Sequence, residues 1–238
     1  MQLEEAVMTR HSSRDFLPTE VPQAVLDRAL ELARHSPSNS NTQVWRLFVV
    51  RGPALERLRT KLYETAAAAS PLPTSQSLAS PSDDSLPGEP DHPATVLPPS
   101  LQHYRTELGA QIYGAPGLGL AREDVAGRRE AVLRNFAFFG APVALVVCMS
   151  AELRGQAALC VGLYLQTLLL ALTEAGVGSC VQIAVAGYPD VLRAELGIPD
   201  HLDILCGVSV GYENPDARIN WCRCGREPVG RTTVWVDE

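Results

Sequence analysis

Asn135-Phe136-Ala137-Phe138-Phe139-Gly140-Ala141-Pro142, followed by Val143-Ala144-Leu145-Val146-Val147-Cys148-Met149, joins the end of a helical pattern to a run of strand formers. Gly140 and Pro142 break the helical pattern, and Val143–Met149 then reads as a strand. Phe136, Phe138 and Phe139 form an apolar wall ahead of it. Downstream, a helix from about Arg154 to Ala175 is hydrophobic nearly all round. That implies burial on every side, inside the domain or against another subunit, up to the stop at Gly176. Gly178–Ala184 reads as a further strand or strand entry, Pro189–Leu196 as a short helix and Ile204–Tyr212 as a strand. Upstream of the quoted stretch, Ala121–Ala137 reads as helical.

The N-terminal half follows the same logic. Gln2–Thr9 is a short helix, and Pro22 opens a second, with Val25, Leu26, Ala29, Leu30 and Ala33 on its apolar positions, ending near His35. Ser36–Gln43 is all turn formers and amides and leads into the strand Trp45–Val50. Pro53–Ala69 is helical. Ser70–Ser100 is rich in proline and serine with few large apolar residues, so it cannot build a core. It is expected to be an insertion or lid in a single domain spanning residues 1–238, because the part before it has too few strands to close a sheet. Strands and helices are mixed without strict alternation, which gives an α+β class or a layered α/β/α arrangement.

Composition excludes several functions. The chain has 238 residues and a net charge of -7, so no broad basic footprint for nucleic acid or anionic membrane exists, and any anion site must be local. The start, MQLEEAVMTR, carries two glutamates and lacks the basic flank and apolar core of a signal peptide. The most apolar stretch, Ala157–Leu172, is interrupted by Gln166 and Thr167 and is expected to be too short for a bilayer. The six cysteines mostly lie in apolar runs, as free thiols do in a reducing cytoplasm. Cys222-x-Cys224 has no second Cys or His cluster at zinc spacing, so no metal site is expected.

Against that acidic background stand Arg10-His11-Ser12-Ser13-Arg14. If the segment is extended, side chains 10, 12 and 14 project from one face; if helical, 10 and 14 still align. Converging guanidiniums suit an anion such as a phosphate, which the planar donor fork of arginine matches. The plainer alternative is a pair of solvated surface arginines. The Ser38–Gln43 loop is a second contact zone, with a simple turn as its alternative. Gly114–Gly119 has the wrong spacing for a dinucleotide loop, and no Walker sequence, Gly-x-Ser-x-Gly elbow or His-Glu-x-x-His helix occurs. What remains are donors, hydroxyls and amides without a nucleophile, an inventory suited to holding a cofactor whose own atoms react.

Arg10-His11-Ser12-Ser13-Arg14-Asp15-Phe16 resembles the N-terminal Arg-x-Ser-x-Arg-x-Phe signature of the nitroreductase family of FMN-dependent oxidoreductases. Ser36-Pro37-Ser38-x-x-Asn41-x-Gln43-x-Trp45 is similar to its Pro-Ser-x-x-Asn-x-Gln-Pro-Trp pattern, with Val44 where proline often stands. Asn135–Pro142, Gly176–Ala184, Gly211-Tyr212 and Arg223-x-x-Arg226-x-Pro228 resemble the later landmarks, in order. The resemblance implies a three-layer fold with a mainly antiparallel sheet, in an intertwined homodimer with C-terminal strand exchange and FMN at the interface. It implies that Arg10, His11, Ser12 and Arg14, with Arg226 and Arg223, hold FMN from one chain, while Pro37, Ser38, Asn39 and Asn41 come from the other. Val181, Gln182 and Ile183 would lie along the flavin ring, and Phe138 and Phe139 would wall the substrate pocket or pack in the core. The implied reaction is ping-pong reduction of nitroaromatics, quinones or related acceptors by NADH or NADPH. A flavin-dependent dehydrogenase or dehalogenase and a non-catalytic flavin-binding protein are the alternatives.

Overall fold

The computed structural model describes residues 1–69, 91 and 97–237. At its centre is a four-stranded sheet in the order β1-β2-β4-β3, built from β1 (Trp45–Arg51), β2 (Val143–Ser150), β3 (Gly178–Gln182) and β4 (Leu202–Gly211). Every neighbouring pair is antiparallel, with a register shift between Val147 and Cys148.

The unbroken apolar run of β2 has a direct cause: both of its faces are covered. Successive side chains alternate across the sheet. Val143, Leu145, Val147 and Met149 enter one core with α2 (Gln23–Ala33) and α6 (Arg154–Glu174). Ala144, Val146 and Cys148 enter a second core with α3 (Gly52–Ala68), the end of α5 (Val125–Leu133) and α7 (Pro189–Leu196). The result is the three-layer α/β/α, α+β arrangement expected from the sequence. Trp45 of β1 stacks on Tyr164 of α6 with ring centroids 4.7 Å apart, which ties the first layer to the sheet. In the second layer Gly207 admits close packing, since a Cβ there would meet Val185 at 3.0 Å and Phe138 at 3.1 Å.

Several elements differ from the sequence expectation. Helix α5 is shorter than the expected 121–137 span because Asp124 caps it, its side chain accepting from the Gly127 backbone N–H. Strand β3 stops at Gln182, where the chain turns into a 3-10 segment, Ile183–Gly187. Within the chain helix α6 leaves Leu159 and Leu163 exposed, so burial on every side would take another subunit. By length and composition alone its Ala157–Glu174 window, 18 residues with mean hydropathy 1.6, would suffice to cross a bilayer, contrary to the expectation that the run is too short; 44% of that window is buried, against the sheet and α2. Two more helices frame the site below: α1 (Leu3–Thr9) and α4 (Gln102–Tyr113), the latter without a sequence forecast. The β-forming Thr232–Val236 makes no strand within the chain. Helix α8 (Val229–Thr232) precedes an exposed tail. Apart from Asp91 and residues 97–100, the expected excursion over 70–100 lies outside the described residues.

Candidate functional site

After α1 the chain runs extended along the free edge of β3. Ser12 pairs in parallel with Ser179, Phe16 pairs antiparallel with Glu213, and the Ser13 backbone N–H donates to the Ser179 carbonyl at 3.0 Å. The extended alternative is therefore the one adopted, and its two-residue period sorts the side chains. His11 and Ser13 turn to one side, where His11 Nε2 and Ser13 Oγ both meet Glu213 Oε2, at 2.5 and 2.6 Å. Arg10, Ser12 and Arg14 turn to the other, facing the Cys180 thiol, whose pKa burial raises against the opposing influence of Arg14, Ser12 and Arg10. The approach to β3 is close: a Cβ on Gly178 would stand 2.6 Å from Ser13 Oγ.

A second arm, from Glu213 to Arg226, locks onto the first. Asn220 is fully buried. Its Oδ1 accepts from the Arg14 backbone N–H at 2.7 Å, and its Nδ2 donates to the Asp15 and Asn214 carbonyls at 2.8 and 3.0 Å. Asp15 accepts from Asn214 Nδ2 at 2.9 Å and pairs with Arg134. Just past this lock come Arg223, whose Nη2 stands 3.3 Å from His11 Nε2, and Arg226. Helix α4 holds the arm from outside: Tyr104 Oη donates to Glu227 at 2.5 Å, and Cys222 Sγ to the Gln111 carbonyl at 3.1 Å.

Arg10, Arg14, Arg223 and Arg226 thus gather at one edge of the sheet. Among the described residues, none of the four has a carboxylate within ion-pair distance. The strain registers on Arg10, whose pKa is lowered first by burial and then by the charge of Arg226. Clustered guanidiniums without an ion-paired carboxylate are suited to an anion.

The Pro37–Asn41 loop is elsewhere. Its Ser36 Oγ donates to Thr167 Oγ1 of α6 at 2.9 Å, and the Asn39 backbone N–H meets Cys160 Sγ at 3.4 Å. Ser40, Asn41 and Gln43 have φ of 51°, 55° and 47°, a left-handed conformation that costs non-glycine residues about 1 kcal/mol or more each and clusters at ligand sites. Pro37, Ser38 and Asn39 share with Leu159, Cys160 and Leu163 of α6 a groove of about 590 Å³.

Comparison with known proteins accords with this arrangement. The model of the nitroreductase family matches residues 7–212, a span that takes in the Arg10–Phe16 and Ser36–Trp45 signatures and all four strands of the sheet, while Arg223 and Arg226 lie beyond it. This chain belongs to the nitroreductase family.

Among its relatives, nitroreductase NfnB of Mycolicibacterium smegmatis is 32% identical over 230 residues, 97% of this chain and 91% of that protein. A 4-nitrobenzoate reductase of Nocardioides is 34% identical over 98% of this chain and 90% of its own length. The crystal structure of the FMN-dependent nitroreductase NfnB from Mycobacterium smegmatis in complex with NADPH superposes with a TM-score of 0.85, at 32% identity, over 98% of this chain and 97% of that one.

Within the nitroreductase frame, the residues picked from the sequence separate into four groups. Arg10, His11, Ser12, Arg14, Arg223 and Arg226 gather at the edge of β3. Pro37, Ser38, Asn39 and Asn41 lie on α6. Gln182 departs from expectation: its side chain is buried, its Nε2 donating to the Asn135 carbonyl at 2.6 Å and its Oε1 accepting from Ser209 Oγ at 2.5 Å. Val181 and Ile183 on either side of it are exposed. Phe138 and Phe139 are both buried, Phe138 in the second core and Phe139 against Phe16, Ala141 and Cys180. In this chain they are packing residues, held at φ of 50° and 52°. Glu213, Asn214, Asn220 and Arg134 escaped the sequence reading, since their partners lie 119 to 206 positions away.

Proposed function

We propose that this chain is an FMN-dependent nitroreductase that takes electrons from NADPH or NADH and delivers them to nitroaromatic or related acceptors, acting as a homodimer. The cluster of four arginines, none of them ion-paired among the described residues, carries the reading. It fits the phosphate of FMN, and the relatives of closely similar length are nitrobenzene and 4-nitrobenzoate reductases. Bound FMN would supply the redox chemistry, as hydride acceptor and electron donor. The protein's own work is then binding and electrostatics. Arg10, Arg14, Arg223 and Arg226 would hold the phosphate, with His11 and Ser12 beside it. Val181 and Ile183 would give the ring an apolar wall that excludes water, and the Gln182 main chain would present its polar groups between them.

The Pro37–Asn41 loop and the exposed apolar face of α6 support the second half of the site coming from a partner copy. Leu159 and Leu163 on α6 are joined in exposure by Leu3, Val7 and Met8 on α1 and by Val234, Trp235 and Val236 in the tail, and large exposed apolar side chains in such number are what a subunit interface would cover. On this reading Pro37, Ser38, Asn39 and Asn41 reach the flavin held by the other chain, and the tail adds to the partner's sheet. Residues 1–238 form one domain on this reading. Six free thiols support a cytoplasmic home.

The test is an absorption spectrum of the purified protein, then NADPH or NADH oxidation with 4-nitrobenzoate against an oxygen-only control. A flavin spectrum with FMN released on denaturation, and acceptor-dependent oxidation, are expected. A colourless protein that binds no added FMN would refute the proposal.

A further inference from the structure

The cation cluster contains one feature that simple charge attraction does not explain. Glu213, a carboxylate, sits at its Arg223 side. Its Oε2 accepts from Ser13 Oγ at 2.6 Å and faces His11 Nε2 at 2.5 Å. Of the other acids on these two arms, Asp15 is taken up by Arg134 and Asn214, and Asp216 is exposed. A carboxylate beside an anion site opposes the anion, so Glu213 has to contribute something other than charge.

The ring of His11 shows what that is. Its Nδ1 is 2.8 Å from the Thr9 carbonyl, a pure acceptor, so Nδ1 donates there. Its Nε2 has two neighbours, Glu213 Oε2 at 2.5 Å and Arg223 Nη2 at 3.3 Å. These make opposite demands. Toward the carboxylate Nε2 must carry a proton; toward the guanidinium it must be bare. The shorter, charge-assisted contact wins. Arg223 is left beside the ring with its Nη1 donating to the Asn220 and Cys222 carbonyls at 2.7 and 3.0 Å, and its remaining donors uncommitted toward the cluster. With both ring nitrogens donating, the ring is the imidazolium; without the carboxylate, Nε2 would give up its proton to solvent, and the lone pair left on the neutral ring would draw the Arg223 guanidinium onto itself.

We infer that Glu213 is a positioning residue of the phosphate site: by taking the His11 Nε2 proton and the Ser13 hydroxyl, it keeps Arg223 free to meet the anion. The inference rests on the FMN reading above, and it predicts a sign. If Glu213 were only a nearby negative charge, its neutralisation would tighten FMN binding. As a positioning group, its neutralisation weakens binding.

FMN titration, followed by flavin fluorescence, on wild type, Glu213→Gln, His11→Gln and the double variant decides between them. Glu213→Gln should raise the FMN Kd about tenfold, the effect of losing one charge-assisted hydrogen bond. The double variant should bind within about twofold of His11→Gln, because Glu213 acts through the ring. Unchanged or tighter binding in Glu213→Gln, or fully multiplicative effects, would overturn the inference. Ring 1H–15N correlation spectra of the wild-type apoprotein, assigned by the signals lost in His11→Gln, give a readout that needs neither a folded Glu213 variant nor FMN. Nε2 of His11 should carry a proton, and a bare Nε2 would overturn the inference. Failure of wild type to bind FMN, with Nε2 protonated, would instead count against the flavin reading alone.

Discussion

Asn220 Oδ1 accepts a hydrogen bond from the backbone N–H of Arg14, 206 positions earlier in the chain, at 2.7 Å. With its two further bonds to the Asp15 and Asn214 carbonyls, this one buried amide fixes the relative position of the two arginine-bearing arms. Truncation by Asn220→Ala leaves a main-chain donor and two acceptors without their partner. It should cost about 1–3 kcal/mol in urea unfolding and weaken FMN retention, although Asn220 carries no charge. Wild-type flavin content in a destabilised variant would show that the arms hold together without it.

Gly178 makes a steric prediction about the same junction. A methyl group there meets Ser13 Oγ at 2.6 Å and Ser13 Cβ at 3.2 Å, with the Gly211 carbonyl oxygen at 3.3 Å behind. Ser13 is buried and its hydroxyl is committed to Glu213, so it cannot yield without releasing that bond. Gly178→Ala should therefore destabilise by about 1–3 kcal/mol, the usual cost of overpacking, and raise the FMN Kd. Thermal unfolding and flavin titration read the two effects separately.

Arg10 should behave in the opposite sense in the two forms of the protein. Burial and Arg226 both lower its pKa, so its charge works against the folded apoprotein. Arg10→Met should leave the apoprotein Tm unchanged or raised, while FMN affinity falls by about 10- to 100-fold with the loss of a charge-assisted hydrogen bond. A variant that loses apoprotein stability and keeps its affinity would place Arg10 in the scaffold rather than the site.

How much of this was legible in the sequence depended on range. The strand Val143–Ser150 and the helix Arg154–Glu174 announce themselves because burial imposes long apolar runs. Helix α4 does not, since it buries no residue fully and presents no clear apolar stripe; contacts of Tyr104 and Gln111 with the C-terminal arm place it. The arginines were legible as unusual charges in an acidic chain. Glu213 and Asn220 were not, because a lone Glu or Asn in a loop has no local signature and acquires its role from residues some 200 positions away. Gln182 was legible as a polar residue in a strand, but not the direction of its side chain, which Ser209 and the Asn135 carbonyl draw inward.

Glu213 also sets a pH dependence. Burial alone would raise its pKa, but the hydrogen bonds from His11 and Ser13 and the charges of His11 and Arg223 outweigh that and lower it. A carboxylate with a lowered folded-state pKa contributes stability above its unfolded value of 4.5, and that contribution is lost as pH falls through the folded value. The Tm of wild type should thus fall more steeply below about pH 4.5 than that of Glu213→Gln, the two curves converging at acid pH. Parallel curves would mean that Glu213 gains nothing from its partners.

The C-terminal tail gives the sharpest test of assembly. Val234, Trp235 and Val236 are 86%, 79% and 81% exposed, and side chains of this size gain about 1.5–3 kcal/mol each on full burial. A chain that left them in water would forgo that gain and expose a patch prone to association, whereas a partner copy offers its own exposed apolar faces on α1 and α6. Ending the chain after Arg231 should shift the protein from dimer toward monomer at micromolar concentration in sedimentation velocity. It should also lower FMN content in step, because the Pro37–Asn41 loop would no longer be delivered to the other chain's arginines. A truncated protein that remains dimeric and fully loaded would assign the fastening of the dimer to the helices alone.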